Sequence, residues 1–179
     1  MNLPNKLTMA RIVFTLFMIA FILLPGKAFA WLSFVMYGVA SLTDAADGHI
    51  ARSRNLVTNF GKFMDPLADK ILNYSVMVLL IPEGLIPPVA LVLILFREFM
   101  VSGIRLSAAE QGTVIAANIW GKIKTTFQDV SLVVILVLRA VGVAFLPTLS
   151  AVLLWICAAL TVISGVIYLV QNIGVLKEK

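Results

Sequence analysis

The chain has one cysteine and one histidine in 179 residues. A single cysteine excludes a disulfide framework. The pair also leaves no set of thiolates and imidazoles from which a zinc site is built. Charge is scarce too. Asp, Glu, Lys and Arg make up 13% of the chain, where soluble domains carry about 25%. Hydrophobic residues reach 61% and the mean hydropathy is +1.03. That balance excludes a soluble globular domain and predicts an all-α integral membrane protein. There is no basic run and no basic helix interleaved with aromatics, so the net charge of +5 does not read as nucleic-acid binding. A bilayer surface and anionic substrates account for it better. No internal repeat or low-complexity segment is present. The length predicts a single membrane domain over 1–179, about six spans at ~20 residues each with short loops.

Six apolar stretches can be drawn: Leu7–Leu24, Ala28–Thr43, Ile71–Ile81, Pro87–Val101, Ile123–Leu146 and Leu149–Val170. The second, third and fourth are short for a hydrocarbon core of ~30 Å. Each becomes long enough if its helix continues into the adjoining polar sequence. The second then runs through Arg52, the third begins near Phe60, and the fourth reaches about Ala109. Functional groups are thereby predicted at the ends of membrane helices. Turn signals fall at Pro25-Gly26, Ser53 to Asn59, Pro82-Glu83-Gly84 with Pro87-Pro88, Gln111-Gly112, and Pro147. The segment from Lys6 to Ala30 has the look of a cleavable leader. A retained first helix is the expectation, because the remainder of the chain is membrane sequence with no exported domain to deliver.

Lysine and arginine set the orientation. Lys6, Arg11, Arg52, Arg54, Lys62, Lys70, Arg97, Arg105, Lys122, Lys124, Lys177 and Lys179 fall on or toward one side, and only Lys27 and Arg139 toward the other. The first group is expected to be cytoplasmic. The isolated Cys157 reads as a small buried or lipid-facing hydrophobe.

The most specific feature runs Asp44-x-x-Asp47-Gly48-x-x-Ala51-Arg52, then eight residues, then Gly61-x-x-x-Asp65-x-x-x-Asp69. The first block follows one stripe of an α-helix, and so does the second. Eight intervening residues are enough to reverse the chain. Two antiparallel helices can then present four carboxylates to one polar cavity on the cytoplasmic side. Acids beside bilayer-length apolar segments are costly unless something neutralises them. Carboxylates without imidazole or thiolate partners favour hard cations, Mg2+ or Mn2+. Four acids can hold two such ions, the arrangement suited to phosphoryl displacement. Gly48 and Ala51 leave room beside the acids for a bulky ligand, and Gly61 does so from the second helix. His49 lies off the ligand stripe and reads as a polar helix residue near the interface. Eight positions at ~6% usage each match by chance about once in 10¹⁰ starts, so four merely solvated charges are a poor explanation.

The run from Asp44 to Asp69 resembles the signature of the CDP-alcohol phosphatidyltransferase family at all eight positions. The resemblance implies transfer of a phosphatidyl group from a CDP-activated lipid to an alcohol, with release of CMP. It implies metal ligation by Asp44, Asp47 and Asp65. Asp69 would touch a metal and take the proton of the acceptor hydroxyl. Asp44, Gly48, Ala51, Arg52 and Gly61 would form the nucleotide and diphosphate site. It further implies a homodimer.

Pro4-Asn5-Lys6-Leu7-Thr8-Met9-Ala10-Arg11-Ile12, Arg97-Glu98, Ser102-Gly103-Ile104-Arg105 and Gly121-Lys122-Ile123-Lys124-Thr125-Thr126 with Gln128 resemble the bacterial members of that family that make phosphatidylglycerophosphate. The expected partners are therefore CDP-diacylglycerol and sn-glycerol 3-phosphate in a bacterial cytoplasmic membrane. A phosphorylated acceptor needs fixed cations, and Arg105, Lys124, Lys122 and Arg11 are the candidates. The alternative for each is an interfacial anchor. Arg97-Glu98 reads as a structural ion pair, and Gln128 as an interhelical polar contact. The rival functions are the same chemistry on inositol phosphate, phosphatidylglycerol or serine, and, more remotely, a divalent-cation transporter.

Overall fold

The computed structural model describes residues 3–53, 59–110, 112, 115 and 118–175, with the side chains of 3, 4, 45–53, 59, 62, 110 and 175 excepted. Six α-helices follow one another: α1 Leu3–Leu23, α2 Lys27–Ser53, α3 Asn59–Leu79, α4 Pro88–Glu110, α5 Ile119–Val141 and α6 Leu146–Asn172. A short 3-10 turn, Ile173–Val175, closes the series. No strand occurs among the described residues.

The extensions expected of the three short apolar stretches are present. α2 continues through the first acidic block, α3 starts ahead of the second, and α4 ends at Glu110. The fifth stretch differs. Its helix stops at Val141, because Gly142 takes a left-handed conformation with φ of +85°. The N–H groups of Gly142 and Val143 both donate to the Leu138 carbonyl, at 2.9 and 3.2 Å, closing the helix end as a glycine C-cap does. Pro147 was expected to mark the turn. It lies instead in the first turn of α6, where its missing N–H costs no helical hydrogen bond.

The chain divides into two compact units. The first comprises Met1–Glu83 with Leu132–Leu146. There α1 packs on both α2 and α3. Its inward stripe, Asn5, Thr8, Arg11, Thr15, Met18 and Ile22, is buried, while Met9, Val13, Leu16 and Phe17 face outward and are exposed. Polar groups inside and apolar groups outside is the pattern of a helix that faces lipid. By length and composition alone, Asn5–Leu23 and Leu146–Asn172 are each able to cross a bilayer.

The two ends of this unit differ in charge. At one end Arg139 makes a two-pronged contact with Glu83, at 2.7 and 2.6 Å, and also donates to the Ile22 carbonyl at 3.2 Å. Lys27 lies beside Gly142 at the same end. The aspartates occupy the other end, near Arg11. Eleven residues of helix separate Arg11 from Ile22, about 16 Å at 1.5 Å per residue.

The second unit comprises Gly84–Ser131 with Pro147–Lys179. Val101, Ile104 and Tyr168 form a buried cluster flanked by Met100, Ile115 and Leu169. Gly165 on α6 makes room for a cation: a Cβ there would sit 2.9 Å from Cγ of Arg97. Cys157 is fully buried, with Sγ 3.9 Å from Oε1 of Gln128. Gln128 thus makes the interhelical contact expected of it.

Candidate active site

Two acids of the motif reach α1 from different helices. Asp44, on α2, accepts from Arg11 Nη1 at 2.6 Å. Asp65, on α3, accepts through Oδ1 from the Thr8 hydroxyl at 2.6 Å. Arg11 Nη1 also reaches the Asp65 carbonyl at 3.5 Å. Thr8 and Arg11 lie one turn apart on α1, and both are fully buried. The Asp44 side chain is 46% exposed. A buried cation therefore supports a carboxylate that still opens to solvent.

Asp69, one turn beyond Asp65, accepts from Asn73 Nδ2 at 3.4 Å. Asn73 in turn accepts from the Tyr37 hydroxyl at 2.8 Å. Gly61 is buried on α3, one turn ahead of Asp65. Asp47, Gly48, Ala51 and Arg52 lie on α2, and their side chains are outside the described residues.

The donor set is all oxygen, and the ligand-bearing helices hold a guanidinium against Asp44 and the Asp65 main chain. A site that already stabilises positive charge with carboxylates suits a hard divalent ion. Among the described residues no three ligating side chains form a complete set. The side chain of Asp47, the remaining acid of the motif, is outside them.

The predicted acceptor cations do not all share one unit. Arg11 stands with the aspartates in the first unit, while Arg105, Lys122 and Lys124 belong to the second. Lys124 is 2% exposed and donates to Glu98 Oε1 at 2.7 Å. Arg97 donates to the same oxygen at 2.9 Å, the ion pair expected from sequence. Arg105 is exposed and leans on an aromatic. Its Nε donates to the Tyr168 hydroxyl at 3.2 Å, with the guanidinium carbon 5.5 Å from the ring centroid. No ion pair joins Arg105 to a carboxylate among the described residues. Lys122 borders an apolar patch of Ile123, Thr126, Phe127 and Val130.

Two polar partners of the acids, Thr8 and Asn73, and the Tyr37 that bonds Asn73 escaped sequence reasoning. Thr8 had a readable signal. Asn5, Thr8, Arg11 and Thr15 recur every three or four residues on an otherwise apolar helix, which marks an inward polar stripe. Tyr37 and Asn73 are single residues in separate helices, and no spacing rule links them.

Comparison with known proteins accords with this geometry. The profile of the CDP-alcohol phosphatidyltransferase family matches residues 1–163. The CDP-diacylglycerol–glycerol-3-phosphate 3-phosphatidyltransferase of Bacillus subtilis strain 168 is 37% identical, covering 98% of this chain and 97% of its own. The proteins of the same name from Rickettsia felis and Haemophilus influenzae are 38% and 31% identical. The first alignment covers 93% of both chains, the second 94% of this one and 91% of the relative.

Proposed function

This chain belongs to the CDP-alcohol phosphatidyltransferase family, and on that premise we propose that it transfers the phosphatidyl group of CDP-diacylglycerol to sn-glycerol 3-phosphate. The products are phosphatidylglycerophosphate and CMP, a step of phospholipid biosynthesis. The observation that carries this reading is the meeting of Asp44 and Asp65, from two helices, at the donors Thr8 and Arg11. The names of the relatives choose the acceptor.

Asp44, Asp47, Asp65 and Asp69 would hold two divalent ions, Mg2+ or Mn2+. Such ions, when bound, neutralise the diphosphate and favour departure of CMP. Asp69 orients the primary hydroxyl of the acceptor and takes its proton. The acceptor oxygen forms a bond to the lipid-side phosphorus. The bond from that phosphorus to the bridging oxygen breaks, and CMP leaves with the electron pair. Asp44, Gly48, Ala51, Arg52 and Gly61 take the nucleotide and diphosphate. Arg105, Lys124, Lys122 and Arg11 serve the acceptor phosphate. Arg105 and Lys122 are the stronger of these, since neither charge is spent on a described carboxylate.

The protein is a membrane protein. Six spans with both ends cytoplasmic, a single catalytic domain over 1–179, and a homodimer in the bacterial cytoplasmic membrane complete the reading. Lys27 and Arg139 both lie at the end of the first unit away from the aspartates, which supports that orientation.

The test is a comparison of labelled acceptors on one purified sample in CDP-diacylglycerol micelles. Glycerol 3-phosphate is expected to be used far better than inositol phosphate, phosphatidylglycerol or serine, and excess chelator is expected to stop CMP release. Efficient use of serine would overturn the acceptor, and undiminished turnover in chelator would overturn the metal chemistry. Divalent-ion flux into liposomes without CMP release would point to a transporter.

A further inference from the structure

Asn73 stands one turn beyond Asp69 on α3, and Tyr37 lies seven residues before Asp44 on α2. Neither belongs to the aspartate motif. Both are buried, at 4% and 1% exposure. Asn73 sits beside Leu72, Val76 and Met77, all buried. A polar side chain there costs free energy unless it is hydrogen-bonded.

The direction of the hydrogen bonds is set by Asp69. An ionised carboxylate only accepts, so the amide must present Nδ2 to it. Oδ1 of Asn73 then faces α2 and accepts from the Tyr37 hydroxyl, 2.8 Å away. Tyr37 thereby fixes which way the amide points, and the amide fixes the carboxylate. The contact to Asp69 is long, at 3.4 Å.

We propose that Asn73 and Tyr37 are positioning residues for the reaction, holding the Asp69 carboxylate in the orientation from which it meets the acceptor hydroxyl. This rests on the reading of Asp69 as the base. A misplaced base loses rate because the reacting atoms must be aligned before the proton moves. Asp69 itself stays in these variants to serve the ions and the acceptor, and its alignment matters most for proton transfer, so the effect falls mainly on kcat.

The full-length protein is assayed for CMP release as Tyr37→Phe, Asn73→Ala, the double variant and Asp69→Asn. Asn73→Ala is expected to lower kcat about tenfold or more, the factor associated with a hydrogen bond to a charged group. Tyr37→Phe should lose less, and the double variant less than the product of the two single losses, because Tyr37 and Asn73 share a hydrogen bond. Both KM values should stay within about twofold, since uniform binding is untouched. A 2-fluoro analogue of glycerol 3-phosphate has a more acidic primary hydroxyl and depends less on a well-placed base, so it should show a smaller loss in both variants. A purely structural role would cut turnover equally with both acceptors. That equality, or an Asn73→Ala kcat indistinguishable from the parent, would overturn the proposal. If Asn73→Ala does not fold, Tyr37→Phe, which removes a single oxygen atom, decides by the same comparison. Near-normal turnover of Asp69→Asn is a separate result that removes the base itself.

Discussion

Asp44→Asn and Asp65→Asn should both abolish activity, yet only the first should weaken the fold. Asp44 is a carboxylate partner of Arg11, which has no exposure to solvent, at 2.6 Å. Replacing it with an amide removes one charge that faces a buried guanidinium. A hydrogen bond between charged groups contributes roughly 1.5–3 kcal/mol. Asp44 is half exposed, so water screens part of that, and about 1–2 kcal/mol is the reasonable expectation. For a chain of this size each kcal/mol moves the melting temperature by roughly 2–4 °C. Asp44→Asn should therefore melt about 2–8 °C lower. Asp65 receives its hydrogen bond from the neutral Thr8 hydroxyl, and an asparagine Oδ1 accepts that bond equally well. Asp65→Asn should melt within a degree or so of the parent, about the scatter of surface changes. The assay is scanning fluorimetry of detergent-purified protein in excess chelator, so that metal linkage does not enter, with CMP release measured alongside. Equal melting of the two variants would refute the assignment of Arg11 to Asp44 as a supporting contact.

Arg105→Ala should raise the KM for glycerol 3-phosphate about 10- to 150-fold, the range of a charge-assisted contact, with much less effect on that for CDP-diacylglycerol. Lysine at 105 should rescue it only in part, since it lacks the planar fork; equal losses for both substrates would assign Arg105 to the fold. Gly165→Ala should destabilise the protein by about 1–3 kcal/mol, because the added methyl would stand 2.9 Å from Arg97 Cγ, and an unchanged melting temperature would show that Arg97 moves aside freely. Single cysteines in place of Asn2 and Lys27, in a chain with Cys157→Ser, should label from the cytoplasmic and outer sides respectively. Labelling of both from one side would reject the orientation.

By itself the sequence determined the class of protein, the limits of most helices and the identity of the acids. Too little charge and too much apolar sequence leave only a membrane environment, since no water-soluble core can bury that surface. The aspartates betray themselves because carboxylates beside spans are expensive and their spacing matches a helical stripe. The need for bilayer-length helices carried α2, α3 and α4 into the polar sequence, where the structure has them. The end of α5 was misread because a left-handed glycine at 142 outranks a proline that the first turn of a helix tolerates. Tertiary structure alone decided the partners. Only packing of α1 against α2 and α3 brings Thr8 to Asp65 and Arg11 to Asp44, and only the pairing of α2 with α3 brings Tyr37 to Asn73. These contacts join residues 33 to 57 positions apart, at separations where no periodicity within one helix applies. The cations show the same division. Sequence marks Lys124 and Arg105 alike as basic residues near helix ends, but burial pairs one with Glu98 and leaves the other exposed on the Tyr168 ring. Charge is legible in the sequence, whereas its neutralisation depends on which helix lies alongside.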